Sequence, residues 1–336
     1  MSLACVFGLA GQRLGDAERA FFKDADPWGF ILFRRNIANA DQVRALTSEL
    51  RACVGRTNAP VFVDQEGGRV QRLGPPHWPA YPAGRAYLEV SRDPEVRRSL
   101  TRLGGRLIAA DLEAVGIDVD CAPVLDVPAA GSHDIIGDRA WSDDSAEVAV
   151  LGRAFAEGLL AGRVLPVIKH IPGHGRALAD SHEALPRVDA SLPELERDFA
   201  PFRSLSDMPM AMTGHVVFSS VDKRRPATTS RRCIGKIIRD SLGFAGLLIS
   251  DDLSMKALDG SLRRRAQDAH AAGCDIVLHC NGDPAEMREV AAGSRRLRGH
   301  ARARAEWALN RKPLAAEPLD EAAARAVFTR AFAAQS

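Results

Sequence analysis

Eight apolar runs of strand length recur along the 336 residues of the chain, and a helical pattern lies between most of them. Each run is continuously apolar rather than alternating, which is typical of parallel strands buried on both faces of a sheet. This succession predicts an α/β fold, a (β/α)8 TIM-type barrel. The runs cover residues 5–9, 29–33, 60–65, 117–126, 165–169, 210–213, 246–250 and 275–278.

Helical periodicity fits six segments between these runs, at residues 41–54, 94–114, 145–161, 192–205, 229–242 and 255–272. We expect a single domain over residues 1–336, with the barrel at about 4–283 and C-terminal helices at about 284–336. A doubly wound sheet is the alternative fold. It is disfavoured because Gly8-Leu9-Ala10-Gly11, which follows the first run, is a poor match to a phosphate-binding glycine turn.

Charge and composition argue against several classes of partner. The net charge of +2 commits the chain neither to nucleic acid nor to an anionic membrane, and the arginines after residue 284 fit a solvated helical face packed on the barrel. No run approaches the roughly 20 apolar residues of a membrane span. The N-terminus lacks the basic region of a signal peptide, and none of the six cysteines forms a C-x-x-C pair. We therefore expect a cytoplasmic protein with reduced, buried thiols.

Polar side chains follow at least six of the eight predicted strands, always at the carboxyl end. Because the carboxyl ends of parallel barrel strands meet at one mouth, where active sites of this fold lie, these side chains predict one shared site. The residues at the ends are Asp64, Asp126, Lys169, His170, Thr213, His215, Ser250, Asp251, Asp252, His279 and Asn281.

Five side chains near this mouth suit a ligand that carries many hydroxyl groups. Asp64, Arg72, Arg139, Lys169 and His170 combine donors and acceptors of fixed geometry, and each sugar hydroxyl can both donate and accept a hydrogen bond. A phosphate ligand would call for more cations and fewer carboxylates. The chemistry of this set therefore favours a sugar.

Glycoside cleavage requires a carboxylate on one side of the anomeric carbon and a proton donor on the other. Asp251, the first acidic residue after the seventh strand, is the candidate nucleophile. His182 is the candidate proton donor, because Asp180 lies two residues away and a carboxylate partner would favour the imidazolium form and raise the pKa of His182. His174 is interpreted as a residue that shapes the loop.

Four stretches of the chain resemble the signature of bacterial β-N-acetylglucosaminidases of glycoside hydrolase family 3. They are KHIPGHG at 169–175 with DSH at 180–182, DQEGGRVQR at 64–72, IGDR at 136–139 and SDDLSM at 250–255. The similarity extends from about residue 8 to residue 281, and the motifs keep their order. Ile171 and Trp141 depart from the phenylalanine that is usual in the family, but both keep the apolar bulk.

The resemblance implies a retaining hydrolase of the short, single-domain, cytoplasmic type that serves peptidoglycan recycling. Such an enzyme removes non-reducing N-acetylglucosamine from muropeptides such as GlcNAc-1,6-anhydroMurNAc, with or without peptide. Asp251 would be the nucleophile, His182 the acid and base, and Asp180 its assistant, while Asp64, Arg72, Arg139, Lys169 and His170 would hold the sugar. The expected protein is a monomer that requires neither a cofactor nor a metal.

Two rival functions stay open on the sequence. A metal-dependent hydrolase could use His170, His174, Asp180, His182 and Asp251 as ligands, although the first strand lacks the H-x-H pattern that such barrels carry. A muropeptide-binding sensor without catalytic activity would be expected to have lost Asp251 or His182, and both are present.

Overall fold

A computed structural model of the chain describes residues 1–129, 131, 134–177 and 185–333. The strands in these ranges are β1 Leu3–Phe7, β2 Pro27–Leu32, β3 Val61–Val63, β4 Gln65–Gly67, β5 Val70–Gln71, β6 Val119–Asp120, β7 Leu165–Ile171, β8 Arg187–Val188, β9 Met210–Thr213, β10 Val217–Phe218, β11 Leu247–Asp252 and β12 Ile276–His279.

The α-helices in the same ranges are α1 Asp16–Ala25, α2 Ala40–Cys53, α3 Gly84–Glu89, α4 Pro94–Glu113, α5 Ser145–Ala161, α6 Leu192–Ser204, α7 Leu262–Ala272, α8 Pro284–Gly293, α9 Gly299–Leu309 and α10 Glu321–Ala333. Single 3-10 turns form at Arg34–Asn36, Gly137–Arg139 and Ala227–Thr229, and Cys233–Ser241 is a π-helix. Among the described helices, none is long and apolar enough to cross a lipid bilayer.

Eight of the strands close into a parallel barrel in the order β1, β2, β3, β6, β7, β9, β11 and β12, with β12 pairing back onto β1. Side chains alternate between its two faces. Ala4 and Val6 of β1 belong to the cluster inside the barrel, while Cys5 and Phe7 belong to the layer between strands and helices. The predicted (β/α)8 barrel is therefore confirmed, and the doubly wound alternative is wrong.

The strand predicted at 117–126 is much shorter than expected. Regular pairing covers only Val119–Asp120, because Pro123 has no N–H to donate to a neighbouring strand. Hydrogen bonds to β7 nevertheless continue, from Val167 N to Ala122 O at 3.1 Å and from Leu125 N to Lys169 O at 2.7 Å. These bonds hold the irregular segment against β7 as far as Asp126.

One helix is missing from the predicted set, and another begins later than predicted. The helix α1 is absent from the predicted set, because Gly15 precedes it and supplies no side-chain cap to mark its start. The helix predicted at 255–272 begins only at Leu262, after Gly260 with its positive φ of +83°. The Ser261 side chain caps this helix by accepting a hydrogen bond from Arg264 N.

The C-terminal segment closes the amino-terminal end of the barrel. Leu297, Ala301, Ala305 and Ala308 of α9 and the turn before it join the interior cluster. The chain just before α9 also pairs with β1, since Ala4 N donates to Arg295 O at 2.8 Å and Leu297 N donates to Ser2 O at 2.9 Å. This end is therefore sealed, and the carboxyl-terminal end is left as the mouth of the barrel.

Buried ion pairs strengthen this seal. Asp275 lies just before β12 with a side chain only 3% exposed, and its two oxygens contact Arg239 at 2.9 Å and Arg304 at 3.1 Å. Its Oδ2 also accepts a hydrogen bond from Leu248 N at 3.0 Å. One carboxylate thus ties α9 and the π-helix to the base of the barrel.

We predict that Asp275→Ala lowers the free energy of unfolding by about 3 kcal/mol, because it leaves two guanidinium groups without their buried partner. Urea unfolding measures this loss. The matched control is Glu306→Ala, which removes an exposed partner of Arg302 and should cost less than about 1 kcal/mol. Equal midpoints for the two variants would contradict the role of Asp275.

A second prediction concerns two buried tyrosines beside α10. Within the described part of the chain the Tyr87 hydroxyl has no hydrogen-bond partner, whereas Tyr81 Oη donates to Asp111 Oδ2 at 2.6 Å. Tyr87→Phe should leave stability unchanged or raise it, and Tyr81→Phe should lower it by about 1–2 kcal/mol. Thermal and urea unfolding of the pair test this, and a Tyr87→Phe variant as unstable as Tyr81→Phe would refute it.

Candidate active site

A single cavity at the carboxyl ends of the strands gathers six of the eight predicted site residues. Its wall includes Asp64, Arg72, Arg139, Lys169, His170 and Asp251. Apolar side chains from several strands and loops complete the wall, namely Ile31, Phe33, Val70, Ile135, Ile136, Met212, Met255 and Leu278. The cavity therefore joins a charged set of side chains to an apolar one.

The charged part of the wall is a continuous network of ion pairs centred on Lys169. Lys169 Nζ lies 3.0 Å from Asp64 Oδ1 and 2.6 Å from Glu66 Oε1. Asp64 also accepts from Arg72 Nη2 at 2.9 Å. Glu66 receives two hydrogen bonds of 2.8 Å from Arg139 Nε and Nη2. Three cations thus share two carboxylates.

Local backbone structure brings this network together. Lys169 lies inside β7, which runs two residues further than the predicted strand and ends at Ile171. Glu66 lies on β4, which pairs with β5 in a short antiparallel hairpin. Gly67 turns this hairpin with a φ of +99°, and a Cβ there would lie 2.1 Å from Pro82 O. Only glycine fits this turn, and the turn places Glu66 against Lys169.

The network holds its groups in their charged forms. Burial by itself would raise the pKa of Asp64, but Lys169 and Arg72 outweigh burial and hold that pKa well below its ordinary value. Burial acts in the same way on Glu66, and Arg139 and Lys169 hold its pKa low. Burial would lower the pKa of Lys169, yet the two carboxylates raise it. The ion pairs therefore persist through neutral pH.

Asp126 fixes the orientation of His170. Its Oδ2 lies 2.6 Å from His170 Nδ1, and its Oδ1 accepts from the backbone N–H groups of His170 at 3.3 Å and His174 at 2.7 Å. Burial would raise the pKa of Asp126, but His170 lowers it below the ordinary value. With Nδ1 held by a carboxylate, Nε2 is the ring atom that His170 has left for a ligand.

The two acidic residues at the end of β11 have different surroundings. Both Asp252 oxygens accept hydrogen bonds, from Ser254 N at 3.1 Å, Cys280 N at 3.2 Å and Ser254 Oγ at 2.5 Å. In the described part of the chain, the Asp251 carboxylate accepts one hydrogen bond, from Asp252 N at 2.8 Å. Asp251 therefore retains free lone pairs beside the cavity, and Asp252 anchors the turn.

The remaining predicted residues, Asp180 and His182, lie outside the described residues. His174, interpreted from the sequence as a loop-shaping residue, is 3% exposed and stacks edge-on against His170 with ring centroids 5.7 Å apart. Burial, and then the neighbouring His170, lower the pKa of His174 to about 4. A neutral His174 at the base of the loop fits that interpretation.

Sequence reasoning missed two residues of this site, Glu66 and Asp126. Glu66 stands within the motif at 64–72, and Asp126 was noted as a strand-end residue, but neither was placed among the groups that hold the ligand. Both could have been found from charge balance. A buried lysine, arginine or histidine requires a nearby carboxylate, and these two follow the adjacent strands.

The metal-dependent alternative would require several ligand side chains to lie close together. Among the described residues, no three histidine, cysteine, aspartate or glutamate side chains come together as a metal site would require. Two of the five candidate ligands, Asp180 and His182, are outside that set.

All six cysteines are unpaired, and five of them are buried, as expected for reduced thiols.

Comparison of the sequence with known proteins identifies a matching family and individual relatives. Residues 7–302 match the family described as glycosyl hydrolase family 3 N terminal domain. A β-hexosaminidase of Bordetella avium is 40% identical over 81% of this chain and 79% of its own length, and one of Methylococcus capsulatus is 41% identical over 82% of each.

Solved structures agree in fold over nearly the whole chain. NagZ of Neisseria gonorrhoeae, in complex with N-trifluoroacetyl-D-glucosamine, has a TM-score of 0.83 and 34% identity, and the match covers 99% of this chain and 96% of that one. A β-N-acetylhexosaminidase of Beutenbergia cavernae has a TM-score of 0.78 and 27% identity, with coverage of 99% and 96%. These relatives are enzymes, which argues against a sensor without catalytic activity. The chain belongs to glycoside hydrolase family 3, among its bacterial β-N-acetylhexosaminidases.

Proposed function

We propose that the protein is a retaining exo-β-N-acetylglucosaminidase that works through a covalent glycosyl-enzyme intermediate. The observation that carries the proposal is the position of Asp251, whose carboxylate lies beside the cavity with lone pairs left free. A carboxylate in that position can attack an anomeric carbon, and the ion-pair network in the same cavity wall can hold the sugar hydroxyls.

The sugar is held by Asp64, Arg72, Arg139, Lys169 and His170. Each of these groups is fixed by a neighbour before any ligand arrives, so little side-chain entropy is lost on binding. Carboxylate oxygens accept hydrogen bonds from hydroxyls, and the cations donate to them. In the proposed complex, a sugar held by these residues has its anomeric carbon directed towards Asp251.

The acid and base is His182, assisted by Asp180. This assignment rests on the sequence motif at 169–182 alone, and on the raised pKa that a carboxylate partner gives to an imidazolium. His182 protonates the leaving oxygen while Asp251 bonds to the anomeric carbon and the glycosidic bond breaks. Neutral His182 then takes a proton from water, which displaces Asp251 and releases the sugar with its configuration retained.

The substrate is a peptidoglycan fragment with a non-reducing N-acetylglucosamine, such as GlcNAc-1,6-anhydroMurNAc with or without peptide. Support comes from the motifs and from the bacterial relatives, one of which binds an N-acylated glucosamine. We place the enzyme in the cytoplasm, in cell-wall recycling, as a monomer in which residues 1–336 form one catalytic domain.

The most direct experiment is hydrolysis of nitrophenyl N-acetyl-β-glucosaminide, compared with the nitrophenyl glucoside, while NMR follows the anomer of the first product. We expect cleavage of the first substrate and a β-configured product. Equal rates on both sugars would refute selectivity for the acetamido group, and an α-configured first product would refute the covalent mechanism.

For the nucleophile we predict that Asp251→Asn lowers kcat by about a thousandfold or more, because an amide is a poor nucleophile. Asp268→Asn, in a partly exposed pair with Arg264 on α7, is the control and should keep full activity. An activated fluoro-sugar should label the wild-type enzyme, with the adduct found on Asp251 by peptide mass spectrometry. An adduct on another residue would overturn the assignment.

For the orienting carboxylate we predict that Asp126→Asn raises KM by about tenfold with a smaller change in kcat, because an amide nitrogen in place of Oδ2 would oppose His170 Nδ1–H. Steady-state kinetics on nitrophenyl N-acetyl-β-glucosaminide measure the effect, with circular dichroism to verify folding. An unchanged KM in a folded variant would show that His170 does not need Asp126.

A further inference from the structure

Glu66 occupies a central position among the cations of the cavity. Its carboxylate contacts both Lys169 and Arg139, at 2.6–2.8 Å, and its side chain is only 7% exposed. The Arg139 side chain is 10% exposed and is held besides by Ile135 O at 3.1 Å. Glu66 also lines the cavity itself. One carboxylate therefore sets the position of two of the cations that face the ligand.

Charge along the cavity wall is balanced. Four cationic side chains line it, Arg69, Arg72, Arg139 and Lys169, and four acidic ones, Asp64, Glu66, Asp251 and Asp252. Arg69 is paired outside this set with Asp138 at 3.0 Å. Asp120 lies beneath the network, and its burial favours the neutral form by raising its pKa. No cation of the described wall is therefore left without a carboxylate.

This balance determines which sugars can bind. A neutral hydroxyl can insert into the network by exchanging hydrogen bonds, with no change in the charge count. A carboxylate on the ligand would add a negative charge to a wall in which every cation already contacts a carboxylate and Asp251 and Asp252 supply two further negative charges. Its desolvation would therefore not be repaid. The wall thus discriminates by charge as well as by shape.

We infer that Glu66 is a specificity-determining and positioning residue, which holds Lys169 and Arg139 in place and offsets part of their positive charge, so that the cavity selects an uncharged sugar over a uronic acid. The inference rests on the proposed function, because it takes the sugar to bind at Lys169 and Arg139. It assigns Glu66 no step in bond making or breaking.

The test uses the full-length enzyme with competitive inhibition by N-acetylglucosamine and by glucuronic acid. Glu66→Gln keeps the size of the side chain but removes its charge, which leaves Arg139 without a carboxylate. We expect KM for nitrophenyl N-acetyl-β-glucosaminide to rise about tenfold, and the ratio of the two inhibition constants to shift about tenfold towards glucuronic acid. A folded variant with the wild-type ratio would overturn the charge role.

Glu66→Asp separates the two parts of the inference. It keeps the charge but shortens the side chain by one methylene, so KM should rise while the wild-type ratio persists. An unchanged KM in this variant would overturn the positioning role. Glu49→Gln, the same chemical change in a partly exposed pair with Arg19, is the control and should alter neither quantity.

Two outcomes keep the inference separate from the proposed function. Absence of hydrolysis by the wild-type enzyme would defeat the proposed function, whereas wild-type hydrolysis with an unshifted ratio in Glu66→Gln would defeat only the inference. Where Glu66→Gln does not fold, the inhibition constants of the wild-type enzyme decide the charge role. Glucuronic acid that inhibits the wild-type enzyme as tightly as N-acetylglucosamine would overturn the inference, and inhibition at least about tenfold weaker would support it.

Discussion

The burial of the Lys169 ammonium at the mouth of the barrel is the constraint on which the rest of the site depends. Lys169 is 2% exposed, and desolvation of such a buried cation costs several kcal/mol unless carboxylates surround it. Asp64 follows β3 directly, and Glu66 reaches the same point only because a hairpin turns back at Gly67. Two carboxylates around one ammonium then require further cations, which Arg72 and Arg139 supply. The network follows from one buried charge.

The order of strands in the barrel explains why distant motifs come together. Asp64 and Lys169 are separated by 105 residues in sequence, yet β3, β6 and β7 are consecutive neighbours around the barrel. Arg139 comes from the segment between β6 and α5 and pairs with Glu66 from there. Parallel closure thus brings the strand-end residues Asp64 and Lys169 together, and the segment after β6 adds Arg139 to the same wall.

Sequence patterns were sufficient for the barrel and for most of the cavity wall. Continuous apolar runs identify buried parallel strands, and the mouth follows from polar residues at their carboxyl ends, as for Asp251 at the end of β11. Sequence patterns do not predict which side chains pair within the wall. They show that Glu66 lies near a strand end, but not which cation it contacts. The helix α1 is missing from the predicted set, because Gly15 provides no capping side chain to mark its start.

The seating of α9 beneath the barrel has a consequence for how the chain folds during synthesis. The bonds that complete β1 come from Arg295 and from β12, so β1 meets its final partners only after nearly 300 further residues have been synthesised. Contacts so distant in sequence carry a large loop-closure entropy and form late. Until β12 emerges, β1 has an open edge, and during that interval the growing chain is most exposed to misassociation.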